Sequence, residues 1–271
     1  PDYSLLPDTE FPERLDWMYE KDYTQTENLT PHQKKTLLAL REKNQKQLQI
    51  AKEMRHQLLK NAAEIQVAHN QQAKIDQPLA ISVAVTNKVA GHNFPTGFSA
   101  ERQLWVHLEV FDPTGKKIFA SGDLDHNGDL RDEHSHEVLL GKANLDKHLW
   151  NFQNKFTALT NKGTERSVTV PVNRHLSPVN VVRPATGISA ALGKPGTFRI
   201  SKASIPPLTT LRKEYPVSVS KAGIYKVSAS LKFRHLPPAL LDKIGIPHFK
   251  PLLEIVTIDE QESYFFVNPK E

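Results

Sequence analysis

The sequence predicts a mainly β chain, an antiparallel β-sandwich of the immunoglobulin-like kind led by a long N-terminal α-helix. Three observations carry that prediction. Residues 32–68 contain neither glycine nor proline and are dominated by Ala, Leu, Lys, Gln and Glu, the composition of a helix. From residue 79 onward the apolar positions switch to a period of two. Strand-like runs rich in Val, Ile and Thr then succeed one another across Gly and Pro turns without strand–helix–strand alternation, which argues against a parallel sheet and for an antiparallel sandwich.

In chain order, residues 1–29 are polar and punctuated by Pro7 and Pro12, with Phe11, Leu15, Trp17, Met18 and Tyr19 as their apolar cluster. They read as a docking tail with one short helix at 12–21. Thr30-Pro31-His32-Gln33 is a helix start: a Thr N-cap, Pro at the first helical position and Gln three residues after the cap. The helical segment is assigned to 30–70, with the helix running to about residue 68. Its apolar stripe is read as Leu37, Leu40, Asn44, Leu48, Ala51, Leu58, Ala62 and Ile65. Lys34, Lys35, Arg41, Lys43, Lys46, Lys52, Arg55 and Lys60 outnumber Glu42, Glu53 and Glu64. Two readings of that charge stand: a solvated face opposite the stripe, or an arm that lies along an acidic partner or pairs with its own copy.

Residues 71–271 are assigned to the sandwich. Leu79, Ile81, Val83 and Val85 alternate with small or polar residues, as do Leu104, Val106, Leu108 and Val110. Asp112-Pro113-Thr114-Gly115 is a hairpin turn leading to a strand at 117–121. Further strands are expected at 155–159, 167–172, 197–203, 210–219, 223–233, 252–257 and 263–267, with a helical turn at 238–244.

Composition excludes several function classes. The chain has 271 residues and no cysteine, so it carries no disulfide, thiolate metal site, thiol nucleophile or covalently attached c-type haem. A formal charge of +5 and a pI near 9.2 permit acidic partners. The basic residues do not interleave with stacking aromatics, however, and nucleic acid is not an expected partner. No apolar run approaches the roughly 20 residues needed to span a bilayer. The chain opens at Pro1 with neither methionine nor a signal-like segment, the pattern of a processed or trimmed N-terminus whose address is out of view.

Chemistry-bearing residues concentrate between 85 and 137. Asp123, Asp125 and Asn127 at alternate positions, Gly128 at the bend and Asp129 after it match the first half of a calcium loop, with Asp132 as the nearest further carboxylate. His134 occupies the place of the closing bidentate ligand, so two readings stand: a hard-cation site, or an Asx-rich turn held by its own hydrogen bonds. His134 and His136, with His126 nearby and His92 or His107 as a third ligand, form a candidate transition-metal set. His92, in the turn Gly91-His92-Asn93-Phe94-Pro95-Thr96-Gly97, either fixes that turn or is presented outward as a haem ligand. Glu101 and Arg102 beside it are expected to pair. Ser121 and Ser135 lack the context of a nucleophile elbow, no catalytic constellation is visible, and no activity of its own is expected of the chain.

The run from Asn87 through GHNFPTG and on through Glu101-Arg102-Gln103-Leu104-Trp105-Val106 resembles the haem-free C-terminal β-sandwich region of large bacterial multihaem c-type cytochromes. The stretch 123–137 with its GDLRDEHSHE and the later Phe233-Arg234-His235-Leu236-Pro237-Pro238-Ala239-Leu240-Leu241 are similar to its continuation. In such cytochromes C-x-x-C-H motifs precede this region; this chain has none. The resemblance therefore implies a haem-free structural or docking subunit or domain of a periplasmic or extracellular electron-transfer assembly. Its partner would be a multihaem c-type cytochrome chain or domain, and a histidine could contact the partner's haem. Two rivals make different demands. A calcium-stabilised adhesion or carbohydrate-binding module needs an exposed aromatic platform, with Trp105, Trp150 and Phe152 as candidates. A histidine-based metalloenzyme needs a third ligand beside His134 and His136.

Overall fold

The computed structural model describes residues 29–97, 101–132, 135–159, 167–169 and 198–269. The tail expected at residues 1–28 lies outside them. The chain divides into two units, Pro1–Leu59 and Lys60–Glu271.

Helix α1 spans Pro31–Ala62. Its start is the expected capping box: Gln33 N donates to Thr30 Oγ1 at 3.3 Å, and Thr30 N donates to Gln33 Oε1 at 3.0 Å. Leu37 is buried with Leu29, and Leu40 packs against the pair. The stripe differs from the expected one near its end. Leu59 is buried, whereas Leu58 is 69% exposed and Ala51 lies in solvent. The buried row follows a 3.6-residue period through Leu37, Asn44, Leu48, Leu59 and Ala62, and Leu58 falls about 100° off it.

The helix also stops earlier than its composition suggests. Ala63–Ala68 form strand β1, in which Ile65 is buried and Val67 half-buried. Pairing with the next long strand overrides local helix propensity here, and the β-branched Ile65 and Val67 suit that role.

The second unit is built from β1, β2 (Gln72–Lys74), β3 (Pro78–Asn87), β4 (Gln103–Phe111), β5 (Lys117–Ser121), the short helix α2 (His136–Leu139) and β6 (Trp150–Asn151). It continues through β7 (Lys155–Leu159), β8 (Ser167–Thr169), β9 (Phe198–Ser201), β10 (Thr210–Ser218) and β11 (Gly223–Arg234). Helix α3 (Pro238–Lys243), a 3-10 helix (Pro247–Leu252) and β12 (Val256–Asn268) complete it. One sheet runs β1-β3-β10 and the other β2-β12-β11-β4-β5, with β6 on β4; β8-β7-β9 form a small third sheet. Pairing is antiparallel except for β2 on β12, so the larger sheet is mixed. The sandwich-like, mainly β architecture agrees with the sequence.

The two sheets are stitched along one side by side chains. The outer edge of β1 has no backbone partner on β12, yet Ile65 N donates to Asp259 Oδ2 at 2.9 Å and Val67 N to Gln261 Oε1 at 2.6 Å. These bonds satisfy edge donors that would otherwise invite another chain. The core between the sheets holds Ile81, Leu104, Leu108, Tyr215, Tyr225 and Leu231, all under 2% exposed.

Of residues 252–257 and 263–267, expected as two strands, Leu252 ends the 3-10 helix, 253–255 are irregular, and the rest lie in the single strand β12. A bulge opposite Leu231 and Lys232 moves the buried side of β12 from Val256 and Ile258 to Phe265 and Val267. That phase change, with Asp259 and Glu260 in its middle, is why the pattern reads as two elements.

Candidate functional site

The three separated segments singled out in the sequence meet around one buried cation. Arg234, at the end of β11, is 2% exposed. Its Nε donates to Gln103 Oε1 at 3.0 Å, its Nη2 donates to the same oxygen, and its Nη1 donates to Gly128 O at 2.6 Å. The guanidinium lies over the Trp105 ring, 5.7 Å from its centroid. Burial pulls the Arg234 pKa down to about 10, against the opposing pull of Asp129 and Asp125. Gln103 and Trp105 come from the first segment, Gly128 from the acidic loop and Arg234 from the third.

The first segment is a rigid turn. Asn87, fully buried, spreads its Nδ2 over His92 O at 2.9 Å and Ile205 O and Pro206 O at 3.0 Å, while its Oδ1 accepts from Val89 N. Phe94 and Ile205 exchange two backbone bonds of 2.8 Å. The buried Phe94 ring stacks on Phe233 at 6.3 Å, and the Phe94–Pro95 peptide is cis. Arg102 Nη1 donates to Thr96 O at 2.6 Å beneath Gly97, where a Cβ would stand 2.8 Å from that nitrogen. The side chain of His92 projects into solvent from this frame.

Arg102 is therefore committed to the turn, and among the described residues no ion pair joins it to Glu101, contrary to expectation. Glu101 is 4% exposed, and burial pushes its carboxyl up to about 7.

The acidic loop closes largely on donors of its own chain. Asp125 Oδ1 accepts from Asp129 N at 2.8 Å and its Oδ2 from Ser135 Oγ at 2.5 Å. Asp129, 3% exposed, accepts from Ala239 N at 3.0 Å and from Asn127 Nδ2 at 2.7 Å. Burial raises the Asp129 carboxyl, and its hydrogen bonds and Arg234 oppose that shift. Lys250 Nζ sits 2.6 Å from both Asn127 Oδ1 and Asp242 Oδ1, so an internal ammonium meets one of the candidate cation ligands. Asp123 Oδ2 accepts from Arg131 Nη2 at 3.2 Å, and Asp132 is buried.

The histidines are distributed rather than gathered. His126 Nδ1 lies 3.0 Å from Glu137 Oε2, and His107 Nε2 lies 3.8 Å from Asp123 Oδ1 and Glu109 Oε1. His136 is exposed at the start of α2, whose N-cap Ser135 accepts from Val138 N. His134 lies outside the described residues. Among the described residues no three His, Asp or Glu side chains converge as a group that could hold a metal ion. The aromatic candidates are not a platform: Trp105 is fully buried with Nε1 donating to Gly122 O at 3.1 Å, Phe152 is 1% exposed, and Trp150 is half-buried against it.

Sequence reasoning missed Arg234 as the junction, and it missed Lys250 and Asp146. Asp146 accepts from Gly122 N at 2.7 Å and Ser121 Oγ at 3.0 Å. The neighbouring Gly122, at φ +84°, has Val106 O 2.3 Å from where a Cβ would stand, so only glycine fits.

Neither a protein-family model nor a curated protein matches the sequence. Among solved structures, a penta-haem cytochrome c552 from Thermochromatium tepidum is 19% identical over 78% of this chain and 41% of its own length, with a TM-score of 0.46. Spo0M, a sporulation control protein from Bacillus subtilis, is 8% identical over 77% of this chain and 50% of its own, at 0.24. The Streptococcus suis adhesin Fhb bound to the disaccharide receptor Gb2 is 13% identical over 65% and 80%, at 0.21. This chain thus spans half or less of the length of the first two. All three TM-scores lie below one half.

Proposed function

We propose that this chain is a haem-free structural and docking part of a multihaem c-type cytochrome assembly, working in electron transfer outside the cytoplasm. One observation carries the reading. The three segments that resemble such cytochromes, far apart in sequence, are joined through Arg234, and one of them holds His92 outward on a turn fixed by Asn87, Phe94 and Arg102. A rigid turn presenting an exposed imidazole suits a group that meets a partner's haem, because little conformational entropy remains to be lost on contact. The chain supplies no haem attachment of its own.

Helix α1 supports a docking role independently. Ile50, Met54 and Leu58 follow one another at i, i+4 spacing and are 49%, 65% and 69% exposed. With the helix's excess of lysine and arginine, that row suits an apolar surface rimmed by carboxylates, whereas self-pairing would bring like charges together.

Replacing His92 by alanine within the native assembly tests the site. Loss of an axial imidazole converts a low-spin haem spectrum to a high-spin one. An unchanged spectrum with an intact complex would leave His92 as a turn residue and remove it from the haem's surroundings.

A further inference from the structure

On the outer face of the larger sheet, away from the segments joined at Arg234, lies a groove of about 380 Å³. It runs between the β4–β5 hairpin and the ends of β11 and β12, and Phe111, Pro113, Ile224, Lys226 and Tyr264 line it. Cross-strand register explains the convergence: Lys226 stands opposite both Phe111 and Tyr264, and Ile224 opposite Phe266. Residues in register share a face, so these side chains form one apolar spot on an otherwise polar surface.

Ile224, Tyr264 and Phe266 are 62%, 52% and 42% exposed. Aromatic side chains offer roughly 150–250 Å² each, so the spot displays on the order of 300 Å². A stable protein interface needs about 800 Å² per partner. The spot is too small to hold a second protein and large enough for one or two small rings.

Charge narrows the class of ligand. Lys226 Nζ is 2.5 Å from Glu262 Oε1. Asp112 is bound by Lys221 Nζ at 2.5 Å and accepts from Thr114 N at 2.8 Å. Each charge at the rim is thus answered within the chain, and no unpaired charge is aimed into the groove from these residues. What remains is an aromatic and aliphatic wall with the Tyr264 hydroxyl and the paired Lys226 and Glu262 head groups beside it. Such a wall suits a neutral ring with one apolar face and hydroxyls at its edge.

We infer that this groove is a binding subsite for a neutral pyranose sugar, stacked on Tyr264 with its hydroxyls toward Lys226 and Glu262. The site is separate from the proposed haem-docking turn and stands or falls without it.

Saturation-transfer NMR on the full chain with cellobiose, lactose and N-acetylglucosamine tests the assignment. Transfer to pyranose ring protons is expected from at least one of the three, with affinity falling about tenfold in Tyr264→Ala and largely kept in Tyr264→Phe. Tyr264 is half exposed, so neither variant should alter the melting temperature, and this control separates lost stacking from lost folding. No transfer from any of the three sugars would overturn the assignment, as would transfer undiminished in Tyr264→Ala. Sedimentation showing a dimer that Ile224→Asp dissociates would also overturn it, giving the face to a second copy.

Discussion

Replacing Arg234 with methionine should destabilise the β-unit by about 2–5 kcal/mol. Methionine keeps much of the apolar stem but removes three charge-assisted hydrogen bonds, two to Gln103 Oε1 and one to Gly128 O. Bonds of that kind contribute roughly 1.5–3 kcal/mol each, and their loss strands two buried acceptors. Part of the loss is offset, because the burial that draws the guanidinium from 12.5 to about 10 corresponds to about 3 kcal/mol returned when the charge is removed. At about 2–4 °C per kcal/mol for a unit of this size, the melting temperature should fall by about 4–20 °C. Urea unfolding followed by tryptophan fluorescence is the natural assay, since Trp105 lies under the guanidinium. Arg234→Lys should recover little, because an ammonium cannot reproduce the fork that reaches both acceptors. A loss below about 0.5 kcal/mol in Arg234→Met, the size of an ordinary surface change, would refute the view that this cation joins the three segments.

Three further outcomes are expected. Burial lifts Glu101 to about 7, above the roughly 4.3 of an unfolded carboxyl, so the folded state keeps a proton that the unfolded chain has already released. Stability should therefore fall as pH rises from about 4.3 to 7 and level off above; Glu101→Gln should match the parent near pH 4 and exceed it at pH 8 by about 3–4 kcal/mol, read from urea midpoints at both pH values. A gap that does not change with pH would assign the effect elsewhere. Because Lys250 already bridges Asn127 and Asp242, the melting temperature of the parent should be the same in calcium and in EDTA, while Lys250→Met should melt lower and be partly restored by calcium. A calcium shift in the parent that disappears in Asp125→Ala would instead make the loop a cation site. Finally, Met54→Glu with Leu58→Glu should change stability by less than about 0.5 kcal/mol, since both side chains are exposed, yet weaken capture of the haem partner in a pull-down. Undiminished capture would free this face of a docking role.

Much of the fold was legible because local pattern and tertiary burden agree. The Thr30–Gln33 capping box and the alternation of Leu104, Val106, Leu108 and Val110 each state their own structure. Misreadings arose where distant partners decide. Ala63–Ala68 continues a helix-like composition but is claimed by β3, Asp259 and Gln261. The β12 bulge breaks a two-residue period that the eye needs unbroken.

The site was legible in its parts rather than in its connection. The turn and the acidic loop stood out by their residue types, but nothing in the sequence ties Gly128 to Arg234 or Asn127 to Lys250. Arg234, set between Phe233 and His235 at the end of an alternating strand, was a visible anomaly whose meaning depends on Gln103 reaching it from β4. Trp105 misled for the same reason: on sequence it was a candidate surface aromatic, and its burial follows from the Gly122 backbone approaching its indole nitrogen.

The most direct test of the docking account is native mass spectrometry of the chain isolated from its source without denaturant, with an absorption spectrum of the same sample. The account predicts a complex with a haem-bearing protein and a Soret band that follows this chain through purification. A colourless chain with no haem partner would contradict it.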